Sequence, residues 1–481
     1  MRLRHILQVV GLINTFLALA MLAPLSASFY YGDGDLSAFV ISFIITFLSG
    51  LSLYFFFRSD NLDISHREGF AIVAASWISM SLFSSLPFIL SGQFPSVLDA
   101  VFEAVSGITT TGASILTNIE GLTHGIIFWR SMIHWLGGMG IVIVALVILP
   151  ILGIGGMQLY KAEVSVVTTD KFAPRVRDMA KILLGIYVLF TGVMMGLLML
   201  GGMGFFDSFV HTVGSVATAG FSNKNLSVGF YGSVYFEAVI IIFMILGATS
   251  FSLHYGFFKE GPKVYAKSEE FKFFILVILV STVLISINLY SSHYDSLFTS
   301  IRYALFQVTS IATTTGFSSA DFGAWPPFSQ ILILILMFIG GTAGSTTGSI
   351  KSIRVLLLLK VGYKEIYQLI HPHAVTPVKL NGKVVPPEVI KSVMGFSFLF
   401  IGIFAVSALA LSWTGLDTMT AISSAAASIG NIGPALGETG PALNYFHIPD
   451  SAKCIIIFNM LLGRLEIYTL LILLIPAFWR D

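Results

Sequence analysis

The sequence has 481 residues, of which 56% are hydrophobic and 11% are charged. Soluble proteins carry about 25% charged residues, so this composition excludes an ordinary soluble domain and indicates a protein that lies mostly in lipid. The formal net charge of +1 argues against nucleic acid as a partner, and the single cysteine, Cys454, excludes an intramolecular disulfide and a multi-cysteine metal site.

Apolar runs long enough to cross a bilayer recur along the whole chain. At about 20 residues for each crossing, they predict spans near residues 6–29, 37–57, 69–92, 126–155, 181–205, 232–258, 273–291, 329–359, 392–414 and 452–478. The first run follows Arg2 and Arg4 and also has features of a secretory signal peptide. We favour a retained first helix, because the run is long for a signal peptide and a second span follows it.

Lysine and arginine are concentrated in alternate connections between the spans. They precede the first span and follow the second, fourth, sixth and eighth spans; Lys161 and Lys171, for example, follow the fourth. Because positive charge marks cytoplasmic loops, we expect a multi-pass membrane protein with both termini in the cytoplasm. The cytoplasmic connections are too short to hold a nucleotide-binding domain.

Four polar stretches of this apolar chain end in the same pattern: a small hydroxyl residue, then any residue, then glycine. The copies are Thr110-Thr111-Gly112, Thr218-Ala219-Gly220, Thr314-Thr315-Gly316 and Ser428-Ile429-Gly430. Asp99, Asp207 and Asp417 stand at the same distance before the glycine in three copies, where we expect them to cap a helix N-terminus. Each copy thus predicts a helix of about 11 residues that ends near the middle of the bilayer.

The predicted fold class is an all-α polytopic membrane protein. Four units, each a span, a pore helix and a second span, are expected in a pseudo-fourfold arrangement, with two extra N-terminal helices. The predicted parts are an N-terminal hairpin at 1–68, repeat 1 at 69–180, repeat 2 at 181–272, repeat 3 at 273–391 and repeat 4 at 392–481.

Four converging helix ends would favour a cation, because the C-terminal end of a helix carries partial negative charge. Carbonyl oxygens beyond each end can replace the hydration shell of an ion, and glycine permits the backbone angles that this requires. A single Thr-x-Gly would more often be a packing feature, since glycine is common in membrane helices. Four copies at similar spacing favour a pore.

At these residues the chain resembles the Trk/Ktr/HKT superfamily of potassium transporters, and within it the bacterial Trk branch. The resemblance covers almost the whole chain. It rests on the Thr-Thr-Thr-Gly runs at 109–112 and 313–316, on Ala-Thr-Ala-Gly-Phe-Ser at 217–222, on Ser-Ile-Gly-Asn-Ile-Gly-Pro at 428–434 and on Trp-Leu-Gly-Gly-Met-Gly at 135–140.

This resemblance implies potassium uptake through a filter formed by the four triplets and Asn431. Gly112 keeps the glycine that implies potassium selectivity, whereas Ala219 and Asn431 depart from the other copies and predict a less symmetric filter. The resemblance also implies a homodimer regulated by a cytosolic nucleotide-binding ring of the TrkA type. Potassium is then the substrate, and the nucleotide, ATP/ADP or NAD, is expected on the ring, with no cofactor on this chain.

A glycine-rich stretch interrupts the eighth span. It contains Gly340, Gly341, Thr342, Ala343, Gly344, Ser345, Thr346, Thr347, Gly348 and Ser349. Such a break at membrane depth is expected only beside protein or water. In the family the equivalent loop obstructs the pore, so residues 340–349 are predicted to form the gate. A kinked packing helix is the alternative, and the spacing excludes a phosphate-binding loop.

Charged residues inside spans usually mark function. The resemblance implies that Arg464 lies beneath the filter, as an electrostatic barrier or as a partner of the gate carbonyls. Pairing with Glu466, or an interfacial position, is the alternative. Glu103 and Arg130 are expected to form an ion pair without a direct role at the ion, and His134 is expected to be a packing residue with its polar atoms satisfied.

Two other functions compete with a channel-like pore. A proton- or sodium-coupled potassium symporter usually needs ionisable groups along its path, and the filter segments contain no Asp or Glu. An intramembrane enzyme is disfavoured because the sequence has no His-Glu-x-x-His, nucleophile elbow or paired intramembrane carboxylates.

Overall fold

The structure is a computed structural model that describes residues 3–59, 65–151, 172–374 and 376–480. Long helices occupy Leu3–Ala20, Leu22–Tyr31, Leu36–Phe56, His66–Ser84, Val97–Ile108, His124–Ile151, Phe172–Leu200, Phe205–Val216, Val234–Gly247, Phe251–Glu260, Glu269–Ser292, Leu297–Ala312, Pro327–Leu336, Ser352–Ile370, Pro387–Trp413, Thr418–Ile429 and Asp450–Arg464. Short helices occupy Leu86–Leu90, Lys263–Lys267, Tyr468–Leu471 and Pro476–Trp479, with 3-10 turns at Ser227–Tyr231, Phe322–Ala324, Gly437–Thr439 and Ile472–Leu474.

Strands are limited to two small pairs among the described residues. Ile339–Gly340 lies parallel to Ile350–Lys351, and Lys379–Leu380 lies antiparallel to Lys383–Val384. The prediction of an all-helical polytopic membrane protein is confirmed, since six helical segments are long and apolar enough to cross a bilayer.

Three predicted spans are not continuous. The sequence predicts the interruption of the span at 329–359, whereas the prediction of continuous spans at 232–258 and 452–478 was wrong. The span at 232–258 bends by 97° between Gly247 and Phe251, and the span at 452–478 bends by 111° after Arg464. The third, at 329–359, stops at Leu336 and resumes at Ser352. The end of the span at 126–155 and the basic residues Lys161 and Lys171 lie outside the described residues.

Four short helices lie in the centre of the protein. They are Val97–Ile108, Phe205–Val216, Leu297–Ala312 and Thr418–Ile429, and we call them the first to fourth half-helices. Three have 12 residues, about 18 Å, and the third is one turn longer. The last two turns of each helix are buried, so the helix ends meet inside protein and not at lipid.

The predicted N-caps are right in one case of three. Asp417 caps the fourth half-helix through bonds from Met419 N and Thr420 N. Ser96 and Gly204 occupy the cap positions of the first and second half-helices. Asp99 and Asp207 lie in the first turn instead, where a carboxylate also complements the helix dipole.

Candidate ion-conduction site

Each half-helix is followed by a short irregular stretch, and we call these the four turn segments: residues 109–112, 217–220, 313–316 and 430–433. Each segment lies against the next, and the fourth closes on the first. A Cβ atom would lie 2.1 Å from Ala219 O at Gly112, 2.0 Å from Thr315 O at Gly220, 2.1 Å from Ile432 O at Gly316 and 2.6 Å from Thr111 O at Gly433. The four turn segments therefore form a closed ring in which only glycine fits at the contact.

The backbone of each turn segment has the same unusual angles. The residue two before the glycine has positive φ in every segment: Thr110 at 53°, Thr218 at 50°, Thr314 at 51° and Asn431 at 52°. The glycines also have positive φ: 80° at Gly112, 80° at Gly220, 85° at Gly316 and 99° at Gly433. Positive φ at alternate residues turns successive peptide planes to one side, which a ring of carbonyl ligands needs.

The fourth copy of the sequence pattern was aligned wrongly. Ser428 and Ile429 form the last turn of the fourth half-helix, and Gly430 has a right-handed φ of −81°. Asn431, Ile432 and Gly433 have the backbone of the other segments, three residues later. The short pattern Ser-x-Gly happened to occur in the helix, whereas Asn replaces the hydroxyl residue at the structurally equivalent position. The N-caps give the correct register, because Ser96 and Asp417 are equally far from Gly112 and Gly433.

Polar side chains form hydrogen bonds within the turn segments and between two of them. The Thr109 and Thr111 hydroxyls lie 2.8 Å apart, as do those of Thr313 and Thr315. Asn431 Nδ2 donates to Thr111 Oγ1 at 3.0 Å, joining the fourth segment to the first. The remaining predicted filter residues, Thr110, Thr218, Ala219 and Thr314, are buried in the same ring.

Glycines on the following helices pack directly behind the half-helix ends. A Cβ atom would lie 2.0 Å from Ile108 O at Gly137, 2.8 Å from Val216 O at Gly247 and 2.0 Å from Ile429 O at Gly463. Sequence reasoning did not assign these positions. The signal available was a glycine 25 to 30 residues after the glycine of the first, second and fourth turn segments, at 137, 247 and 463.

The glycine-rich loop (residues 340–349) contacts three of the four turn segments. Thr346 Oγ1 lies 3.0 Å from Thr218 Oγ1, and Gly348 N donates to Thr314 Oγ1 at 2.9 Å. A Cβ atom on Gly348 would lie 2.2 Å from Gly430 O. Because these contacts involve the half-helix end of each turn segment, the loop lies on that side of the ring.

Further hydrogen bonds join the glycine-rich loop to neighbouring helices. Thr342 N donates to Ala248 O at 2.9 Å and Thr346 N to Gly247 O at 3.2 Å, at the bend in the preceding helix pair. Glu270 Oε1 accepts from Ala343 N at 2.7 Å and from Ile353 N at 3.1 Å. The stretch is not a simple kink, because one helix ends at Leu336 and the next begins at Ser352. The remaining residues of the predicted gate in this stretch are Gly340, Gly341, Gly344, Ser345, Thr347 and Ser349.

Arg464 lies against the loop and is almost fully buried. Its Nη1 donates to Thr346 O at 2.7 Å and its Nη2 to Gly137 O at 3.0 Å. Glu466 pairs with Arg354 instead. The alternatives for Arg464, a pair with Glu466 or an interfacial position, are therefore wrong.

Glu103 and Arg130 form the expected ion pair, which is fully buried. Arg130 Nη2 lies 2.7 Å from Glu103 Oε1. Glu103 also accepts from Ile115 N at 3.0 Å, while Arg130 Nη1 donates to Ser222 O at 3.3 Å. The pair thus connects the chain that leaves the first turn segment to the chain that leaves the second.

His134 packs as expected, but its polar atoms are not satisfied by the described residues. Its ring stacks on Phe221 with centroids 4.1 Å apart, and neither ring nitrogen has a hydrogen-bond partner there. The guanidinium of Arg130 lies 4.1 Å from the same Phe221 ring. Phe221 directly follows Gly220, so both side chains support the second turn segment.

The closed ring of four turn segments lies among apolar helices long enough to cross a bilayer, an arrangement typical of membrane proteins that transport ions. The chain belongs to the TrkH family of cation transport proteins, whose model matches residues 35–480. It is therefore a transport protein of the membrane and not an enzyme, as expected.

Individual relatives match over the full length. The chain is 40% identical to the Trk system potassium uptake protein TrkH of Vibrio parahaemolyticus and 40% identical to that of Escherichia coli K12, with 100% of each chain covered. The crystal structure of the potassium transporter TrkH from Vibrio parahaemolyticus superposes with a TM-score of 0.92 at 38% identity, covering 100% of both chains.

Proposed function

We propose that this protein takes up potassium ions through a channel-like pore whose filter is the ring of four turn segments. The observation that supports this function is the closure of the ring: each glycine lies against a carbonyl of the next segment. The turn segments contain no Asp or Glu, so dehydration of the ion would depend on carbonyl oxygens and helix ends. The four predicted repeats would each supply one quarter of this ring.

In this proposal the glycine-rich loop is the gate and Arg464 holds it closed. The hydrogen bonds of the loop to Thr218 and Thr314, together with that of Arg464 to Thr346 O, support such a role. The full assembly would be a homodimer in the bacterial inner membrane, with cytoplasmic termini. A cytosolic nucleotide-binding ring of the TrkA type, loaded with ATP/ADP or NAD, would drive the loop.

Growth and rubidium flux in bacteria that lack potassium uptake test the proposal. The wild-type chain should restore growth at low potassium, Gly316→Ala should abolish it, and Gly402→Ala should not. A Cβ atom on Gly316 would lie 2.1 Å from Ile432 O, whereas one on Gly402 would meet nothing within 4 Å. Equal growth with both variants would contradict the proposed filter.

Coupled symport is the competing mechanism, and vesicles that contain the purified protein separate the two. A channel-like pore should carry potassium without moving protons and without requiring external sodium. Acidification or alkalinisation that follows potassium flux with fixed stoichiometry would assign a symporter.

A further inference from the structure

Tyr445 connects the fourth turn segment to the first. It is buried, and it lies twelve residues after Gly433 in the chain that returns from that segment. Its hydroxyl donates to Gly433 O at 2.8 Å, and its backbone N donates to Ser114 O at 2.9 Å. A single residue thus holds a carbonyl of the ring and the chain that leaves the neighbouring segment.

This contact makes the fourth quarter of the ring different from the other three. The carbonyl oxygens of Gly112, Gly220 and Gly316 accept no hydrogen bond from any residue that the structure describes, whereas Gly433 O accepts one from Tyr445. A carbonyl that ligates an ion must be free to face it. At the level of the four glycines, the ring therefore has three unrestrained carbonyls and one that a hydroxyl fixes.

The position of Tyr445 is fixed in turn by the buried ion pair. Ser114, whose carbonyl accepts from Tyr445 N, donates its hydroxyl to Glu103 Oε1 at 2.9 Å. Arg130 Nη2 donates to the same hydroxyl oxygen at 3.3 Å. A site whose ligands must be placed within a fraction of an ångström needs such supporting contacts. The network runs from Gly433 through Tyr445 and Ser114 to the ion pair.

We propose that Tyr445 is a specificity-determining positioning residue: its hydroxyl fixes the orientation of the Gly433 carbonyl and so sets how closely the ring can contract around an ion. This inference rests on the proposed filter. Without the hydroxyl, the Gly433 carbonyl gains freedom, and the ring can close around the smaller sodium ion. The relative permeability of sodium should then rise.

Tyr445→Phe tests this proposal, because it removes only the hydroxyl and keeps the buried ring. We expect the sodium-to-potassium permeability ratio, from reversal potentials of the purified protein in planar bilayers, to rise about fivefold, the factor that one hydrogen bond provides. Tyr187→Phe is the matched control. Tyr187 is also buried and donates its hydroxyl to a backbone carbonyl, Trp135 O at 3.1 Å, outside the turn segments.

A second substitution keeps the proposal testable if the phenylalanine variant is poorly folded. Incorporation of 3-fluorotyrosine at position 445 keeps the shape and makes the hydroxyl a stronger donor, so the sodium-to-potassium ratio should fall. Thermal melting in potassium chloride and in sodium chloride provides a reading without conduction. The melting temperature in potassium chloride should exceed that in sodium chloride by a smaller margin in Tyr445→Phe than in the wild type, and by an unchanged margin in Tyr187→Phe.

The outcomes separate this proposal from the proposed function. A wild-type protein that carries no potassium current would defeat the filter itself. A conducting Tyr445→Phe protein with the wild-type ratio, or an equal change in Tyr187→Phe, would overturn the role of Tyr445 and leave the filter standing.

Discussion

The Glu270 carboxylate anchors the glycine-rich loop to the helix Glu269–Ser292. It is buried, and one of its oxygens accepts from both Ala343 N at 2.7 Å and Ile353 N at 3.1 Å. Ala343 lies within the loop, and Ile353 lies in the first turn of the helix that follows it. If the loop is the gate, opening must stretch or break these bonds. Glu270→Gln should therefore favour the open state.

The structure gives the size of this effect. A hydrogen bond to a charged acceptor contributes about 1.5–3 kcal/mol, against about 1 kcal/mol for a neutral one. Glutamine keeps an acceptor oxygen, so each of the two bonds should weaken by about 1 kcal/mol. A loss of about 1–2 kcal/mol from the closed state raises the ratio of open to closed channels about 5–30-fold.

Single-channel recording of the purified protein measures this ratio as the open probability. Glu269→Gln is the control, because the neighbouring carboxylate is partly exposed and pairs with Lys360, not with the loop. Exposed pairs contribute about 0–1 kcal/mol, so this variant should gate like the wild type. The reasoning is refuted if Glu270→Gln has the open probability of the control, or if it alters conductance and leaves gating unchanged.

Two further outcomes follow from the ring and from its buried ion pair. Gly112→Ser should raise sodium flux relative to potassium flux and lower total flux, since φ is +80° and a Cβ atom would lie 2.1 Å from Ala219 O; an unchanged reversal potential would contradict the ring contact. Glu103→Gln should lower the melting temperature far more than Glu269→Gln, because an unpaired buried Arg130 costs about 3–5 kcal/mol. Equal melting temperatures for the two variants would contradict the importance of the pair.

Local pattern was sufficient to predict the half-helices and three of the turn segments. Gly112, Gly220 and Gly316 share both a backbone conformation and a sequence pattern, so the residue types predict the backbone geometry there. In the fourth turn segment the residue types do not predict it. Asn431 adopts the positive φ that Thr110, Thr218 and Thr314 adopt in the other three turn segments. Because asparagine is not a hydroxyl residue, a pattern defined by residue type selected Gly430 instead of Gly433.

Long-range contacts were beyond sequence reasoning. The partners of Glu270 lie more than seventy residues away, and Tyr445 N reaches Ser114 in the first quarter of the chain. The bend after Gly247 was hidden because its flanking residues are apolar enough to read as one span. The burial of Arg464 was predicted only through a resemblance, since composition alone cannot distinguish a buried arginine from an interfacial one.

The loop and the ring share hydrogen bonds, and this limits how independently they can act. Thr218 and Thr314 have positive φ, which is strained for a β-branched residue and persists only where the surroundings impose it. Part of that restraint comes from the loop, through Thr346 at Thr218 and Gly348 N at Thr314. If the loop is the gate, its withdrawal would remove both contacts, and the two turn segments would be freer in the open state. Ion affinity at the half-helix end of the ring should therefore differ between closed and open states, and substitutions in the loop should change affinity as well as gating.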